Sequence, residues 1–290
     1  MFVKTTWKVR SVATRKMKDM GAERLEAGEK VRDRYWLPGA LVRNVTVCML
    51  EGDWLAARKP CDRALEINDM DPRSLGTRLL LEHMVGDSNW GQEFVERLME
   101  ANRLISPVEE AGGGNGYTAF AIPIAALTTG DMTGISDAQH AARTILSSDN
   151  AAPIYSRMAH TGLGVLAMLS GDGAEAREHY NALMSAKGHL IAVACMSADR
   201  LLGLLCQTMG NLDQATGHFE DALAFCRKAG YRPELAWTCC DYADTLRERD
   251  GEGDRAKAVT LLDESLAISS ELGMRPLMER VLSRREILRA

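Results

Sequence analysis

Apolar and small residues recur at three- and four-residue steps through most of the chain, the period of one helix face, and strand-like alternation is scarce. In residues 210–225, GNLDQATGHFEDALAF, the series runs Leu212, Ala215, Phe219, Ala222 and Leu223, launched from a Gly-Asn pair. A Gly-Asp pair stands in the same relation to an amphipathic run at 52–53, 86–87, 130–131, 171–172 and 253–254, which spaces the six turns 34, 44, 41, 39 and 43 residues apart. Glycine supplies the left-handed backbone that stops one helix, and Asp or Asn supplies an oxygen that caps the next. Six such turns predict six helical hairpins and an all-α chain.

The residues around the turns agree in register. Leu202-Gly203 leads to Gly210, Ala215, Phe219 and Ala222; Leu163-Gly164 leads at the same offsets to Gly171, Ala176, Tyr180 and Leu183; Gly52 is followed by Ala57, Cys61 and Ala64. In the sixth unit Tyr242-Ala243 leads through the longer turn RERDGEGDR to Ala258, Leu262 and Ser265. Small residues let two helices of a hairpin approach, and a large one a turn later fills the gap against the next hairpin. This pattern resembles the tetratricopeptide repeat from about Leu37 onward, with departures at Gly91, where Ala is usual, and at Pro123, at a small position. The period is the main difference, nearer 40 than the consensus 34, so longer helices or longer connections are expected. Residues 218–282 also resemble the last repeats of bacterial LuxR-class ATPase regulators and class III adenylyl cyclases, which implies a signalling scaffold without bringing their catalytic or DNA-binding domains along.

Outside the hairpins, residues 1–36 are basic, with Lys4, Lys8, Arg10, Arg15, Lys16 and Lys18 against Asp19 over the first twenty, and are expected to cap the array with a helix from about Arg15 to Tyr35. Hairpins one and two then span 37–105, and three to six span 117–275. Between them, 106–116 (SPVEEAGGGNG) reads as a loop or hinge because consecutive glycines weaken a helix. GYRPELA (230–236) and LGMRPLM (272–278) share a helix stop followed by Pro at the first turn of a helix, so 276–290 reads as a capping helix.

Composition narrows the function. A net charge of -5 over 290 residues does not point to a nucleic-acid binder, and no apolar run is long enough for a membrane span or a secretory leader. Seven cysteines without a C-x-x-C pair read as reduced packing residues, which suggests a cytoplasmic setting. AGGGNGYTA lacks the lysine and preceding strand of a phosphate loop. His179 and His218 precede equivalent aromatics and read as solvent or rim histidines, with Glu220 and Asp221 beside the latter also facing solvent. Glu248-Arg249-Asp250, Asp254-Arg255 and Glu279-Arg280 read as solvated faces. No catalytic residue, metal site or cofactor is expected, so the chain is not read as an enzyme.

The tetratricopeptide resemblance implies a concave groove lined by the first helix of each hairpin. Its offsets select Val42, Thr46 and Met49; Arg73, Leu80 and His83; Tyr117, Phe120, Ile124 and Leu127; Met158, Thr161, Val165 and Met168; Arg200, Leu204 and Gln207; and Trp237, Cys240, Asp244 and Arg247. Val42, Thr46, Arg73 and Leu80 stand where the family's carboxylate clamp needs Lys and Asn, so no chaperone-tail binding is expected. The groove is expected to be apolar and Met-rich, suited to a protein or peptide segment, or alternatively to close over an apolar effector. The sequence leaves open whether these residues line a groove or pack as core, and whether the chain self-associates.

Overall fold

The computed structural model describes residues 36–104 and 112–289. Thirteen helices fill them in consecutive antiparallel pairs. Hairpin one is α1 (Trp36–Glu51) and α2 (Trp54–Ile67), hairpin two α3 (Pro72–Val85) and α4 (Ser88–Arg103), and hairpin three α5 (Gly113–Thr129) and α6 (Ile135–Leu146). Hairpin four is α7 (Pro153–Ser170) and α8 (Gly173–Leu183), hairpin five α9 (Ala198–Thr208) and α10 (Leu212–Ala229), and hairpin six α11 (Arg232–Arg249) and α12 (Asp254–Leu272). Helix α13 (Arg275–Arg289) packs on α12. The basic segment 1–35 and residues 105–111, most of the expected hinge, lie outside the described residues.

The glycine stops form as the sequence indicates at five turns. The side-chain cap forms at Asp53 and Asp172 but not at Asn211, nor before α6 and α12, whose N-caps are Gly134 and Gly253. Gly52, Gly86, Gly130, Gly171 and Gly210 take φ between 70° and 86°, where side-chain-bearing residues are strained. Asp53 then accepts from the Ala56 amide, and Asp172 from those of Ala174 and Glu175. The sixth turn departs: Asp250, not glycine, takes the left-handed position at φ 50°. Nor are Asp254 and Arg280 solvated as expected. Asp254 is buried and binds Arg249 and the Gly251 amide, while Arg280 reaches inward to Asp241.

The glycine run is also not simply a loop. Gly113, Gly114 and Gly116 lie within the first turn of α5. A Cβ at Gly116 would stand 2.9 Å from the Tyr155 ring, and one at Gly76 would stand 2.8 Å from Tyr117. At Gly76 and Gly116 the helices α3, α5 and α7 approach so closely that a side chain would have to displace a tyrosine, and tertiary packing outweighs poor helix propensity. The closest approach falls at Gly162, where any Cβ would overlap the Ala119 carbonyl oxygen. By contrast, Gly164 of the repeat signature has only ordinary contacts, with His179 Cβ at 3.5 Å.

Between hairpins the aromatic plug works as the register indicates. Phe219 is fully buried, lies over Gly203, and stacks on Tyr242 of the next hairpin with ring centroids 5.3 Å apart. The winding brings hairpin six and α13 back onto hairpins one and two. Leu272 covers Gly52, Pro276 covers Gly86, and Trp54 Nε1 donates to the Leu272 carbonyl at 2.6 Å. Helix α11 touches α1, and α13 touches α3 and α5, so the superhelix closes into a ring with the first helices of the hairpins inside.

Candidate functional site

The ring interior is not an open channel. Residues 184–197 connect α8 to α9, and part of that connection turns inward. After a 3-10 turn at Met184–Ala186, β1 (Leu190–Ile191) pairs with β2 (Met196–Ser197) in a two-residue antiparallel ladder, with a second 3-10 turn at Ala192–Ala194 between them. Ile191, Ala194, Cys195 and Met196 are buried, while His189 and Ala192 face solvent. Cys195 Sγ lies 3.9 Å from the Thr46 carbonyl oxygen on α1, across the ring. This connection supplies part of the extra length that lifts the period above the family consensus.

Between the strip and the walls remains a cavity of about 30 Å³. It is lined by Met49, Leu80, His83, Met84, Ile124, Leu127, Thr128, Ala194, Cys195, Met196, Arg200, Glu234 and Trp237. That is room for about two waters. Burial lowers the His83 pKa, and the ring Nδ1 lies 2.9 Å from the Leu79 carbonyl oxygen, so the neutral imidazole donates there. Burial likewise pushes the Cys195 thiol up to about 12, which keeps it protonated. The Cys195 backbone is left-handed at φ 49°, a conformation costing a side-chain-bearing residue about 1 kcal/mol.

One end of the cavity is ionic. Arg200 donates from Nη1 to Glu234 at 2.8 Å and from Nε to Asp241 at 2.7 Å. Arg280 on α13 donates to Asp241 at 2.7 Å and to Asp244 at 3.0 Å, and Arg284 donates to Asp244 at 2.8 Å. The guanidinium carbons of Arg200 and Arg280 lie 5.5 and 5.8 Å from the centroid of the Trp237 ring, whose Nε1 donates to Met84 Sδ at 3.2 Å. Glu234 Oε1 accepts the Ser197 amide at 2.7 Å. Burial pushes the Glu234 carboxyl up to about 7, against the pull of Arg200.

The groove residues expected from the sequence therefore divide. Met49, His83, Arg200 and Trp237 meet at the cavity, with Leu80, Ile124 and Leu127. Tyr117, Phe120, Met158, Thr161 and Leu204 are buried. Phe120 is wholly inaccessible and packs on Tyr117, while Met158 lies against Gly116, so these two are core between hairpins rather than groove surface. Arg73 is held by Asp71, Gln207 reaches Glu248 and Thr245, and Met168 is half-buried. Asp244 belongs to the ionic cluster, with Arg247 exposed 3.8 Å away. The offsets did not find Met84, Thr128, Glu234 or the strip. Its signal was the excess period together with LIAVACMS, eight residues without a charge.

The histidines also correct the sequence reading: His179 and His218 are buried, whereas Glu220 and Asp221 are exposed as expected. His218 is bonded at both ring nitrogens, whereas His179 is paired at Nδ1 and its buried Nε2 makes no hydrogen bond. His218 Nδ1 lies 3.1 Å from Asp199 Oδ1, and its Nε2 lies 3.0 Å from the Tyr180 hydroxyl, which also accepts from Gln214. His179 Nδ1 lies 3.2 Å from His160 Nδ1, and its Nε2 lies 3.3 Å from Glu175. Burial raises the Tyr180 pKa.

Among the described residues no group of three or more His, Cys, Asp or Glu is placed to hold a metal, and no helix is long and apolar enough to cross a membrane. No curated protein matches the chain. The tetratricopeptide repeat family model matches residues 194–271, from the end of the strip through α12. The repeat match over hairpins five and six, together with the continuous stacking of six hairpins, supports a tetratricopeptide-type repeat protein.

Proposed function

We propose that the chain is a non-catalytic interaction module whose ring interior takes an apolar segment of a partner protein. Tetratricopeptide repeats are generally protein-interaction scaffolds, and the observation that carries the reading here is the character of the inner wall. Met49, Leu80, Met84, Ile124, Leu127 and Trp237 converge from α1, α3, α5 and α11 onto one space. Methionine side chains adapt to varied apolar shapes, so such a wall accommodates a segment rather than one rigid ligand. The likeness of residues 218–282 to the repeats of bacterial regulators favours a role in signalling or transcriptional control. A small apolar effector is the alternative reading; about 30 Å³ holds no more than a couple of waters, so either occupant requires the interior to open.

Random twelve-residue peptides displayed on phage and selected on the full chain test the reading. The expected winners are apolar and uncharged, and their binding falls at least about tenfold in Leu127→Asp and in Trp237→Ala, each checked for helical content by circular dichroism. Leu127 is the suitable wall position because it is half-buried, whereas Phe120→Asp would place a charge in the core. Peptides whose binding survives both substitutions would refute the interior as the site.

A further inference from the structure

We infer that residues 190–196 are a built-in occupant of the groove, which an uncharged apolar segment of a partner protein displaces on binding. This rests on the reading of the interior as a protein-binding groove. The strip, Leu-Ile-Ala-Val-Ala-Cys-Met, presents Ile191, Ala194, Cys195 and Met196 to the interior and carries no charge. It shows what the wall accepts. The charged groups at the cavity, Arg200 and Glu234, are bonded to one another, so neither is left to recognise an acidic or basic segment. The partner chemistry is therefore apolar and uncharged, with small residues flanking larger ones.

The strip packs into the apolar interior through Ile191, Ala194, Cys195 and Met196, each at most 7% exposed. The strip lies at the mouth of the ring, with His189 and Ala192 in solvent. Its internal pairing is only the register Leu190 with Ser197 and Ile191 with Met196. It includes the left-handed Cys195, and Gly188, two residues before the strip, is also left-handed at φ 75°. Its anchors are at its ends: the Gly188 amide donates to Asp199 at 2.7 Å and the Ser197 amide to Glu234 at 2.7 Å. Those carboxylates hold the base in place, and the stretch between them is held by apolar packing and by the Cys195 Sγ contact with the Thr46 carbonyl oxygen, which a partner segment would have to replace. Outward movement would expose Met49, Met84 and Leu127 without breaking any hairpin.

Because the Ala198 amide donates to the His189 carbonyl at 3.0 Å, the two ends of the strip are adjacent, and a linker of about four Gly and Ser residues can replace 189–196. The probe is a synthetic peptide with the sequence of residues 189–197 carrying Cys195→Ser. Isothermal titration is expected to show at least about tenfold tighter binding to the shortened chain than to the full chain, since the plug taxes the apparent affinity. A shortened chain that retains its helical content and binds no better overturns the inference. A shortened chain that pairs into a dimer by sedimentation assigns the groove to a second copy and overturns it too. Should shortening prevent folding, hydrogen exchange on the full chain at saturating peptide decides. Protection should fall over 190–196 and hold over α9 to α12; unchanged protection in the strip overturns the inference. Phage-selected peptides that depend on Leu127 and Trp237 without freeing the strip would have to part the hairpins instead, which would leave the groove reading standing and remove only the plug.

Discussion

The two sides of the ring interior solve close packing in opposite ways. Across hairpins one to four the inner helices approach through glycine: Gly76 under Tyr117, Gly116 under Tyr155, and Gly162 against the Ala119 backbone. Across hairpins five and six and α13, the inner helices are joined by buried charge, with Arg200, Arg280 and Arg284 set against Glu234, Asp241 and Asp244. The glycine side is fixed by shape where these backbones meet. The ionic side is fixed by charge balance, and each member is costly once its partner is removed. The plug sits where the two meet, with Cys195 against α1 and Ser197 against Glu234. One wall thus supplies an adaptable apolar surface and the other sets register.

The comparison breaks most severely on the ionic side. Asp241 bridges Arg200 and Arg280 and is almost fully buried. Asp241→Ala leaves two guanidiniums undercompensated and is expected to cost about 3–5 kcal/mol in urea unfolding. A loss below about 1 kcal/mol would mean that the network is relaxed by water and does not fix α13. On the glycine side, Gly162→Ala must push α5 from α7, for an expected loss of about 3 kcal/mol. Gly164→Ala, whose Cβ meets only ordinary contacts, is expected to lose less than about 1 kcal/mol. Equal losses at the two positions would refute the close backbone approach.

Titration sharpens the same contrast through opposite signs. Burial, aided by His179, lowers the His160 pKa below its usual 6.5, so the unfolded chain binds the proton first and stability falls as pH drops through about 6.5. Glu234 acts in reverse. Its carboxyl, raised from 4.5 to about 7, keeps a proton that the unfolded chain has already lost, so its contribution is full below pH 4.5 and is lost as pH rises toward 7. Between those limits the stability of the parent minus that of Glu234→Gln is expected to fall with rising pH. The parent minus His160→Gln difference is expected to rise up to about pH 6.5. Thermal melts in a pH series check both slopes, and two slopes of the same sign would contradict the assignments.

How much of this was legible follows from where each signal resides. A helix stop is written in one or two residues, so the hairpins, five of the six stops and the Phe219 plug could be read directly. The inner helices could be assigned from repeat offsets, which is why Met49, His83, Arg200 and Trp237 were found. What lies across the ring leaves no local trace. Gly162 differs from Gly164 only through the Ala119 backbone, a contact made by another hairpin. His218 looks like a surface residue until Asp199, nineteen positions earlier, turns out to face it. His160 and His179 show the same relation one hairpin back, again nineteen apart. Buried polar positions therefore repeat with the fold while their chemistry changes, and a pattern of apolar spacing is blind to them.

The smallest effect concerns the turns themselves. Five hairpins stop their first helix on glycine, and the sixth stops on Asp250 at φ 50°, ψ 38°. Left-handed backbone costs a side-chain-bearing residue more than it costs glycine, although glycine gives back part of that in the entropy of the unfolded chain. Asp250 is exposed. The Asp250 amide bond to the Leu246 carbonyl oxygen at 3.0 Å is made by the backbone and survives substitution. Asp250→Gly is therefore expected to raise stability by about 0.5 kcal/mol. The reverse change, Gly130→Asp, which meets no neighbour within 4 Å, is expected to lower it by about 1 kcal/mol. Differential scanning calorimetry resolves both shifts. If Asp250→Gly instead destabilised the chain, the aspartate side chain would have to support the long turn before Asp254, and the sixth hairpin would be closed by its carboxylates rather than by the backbone rule that closes the other five.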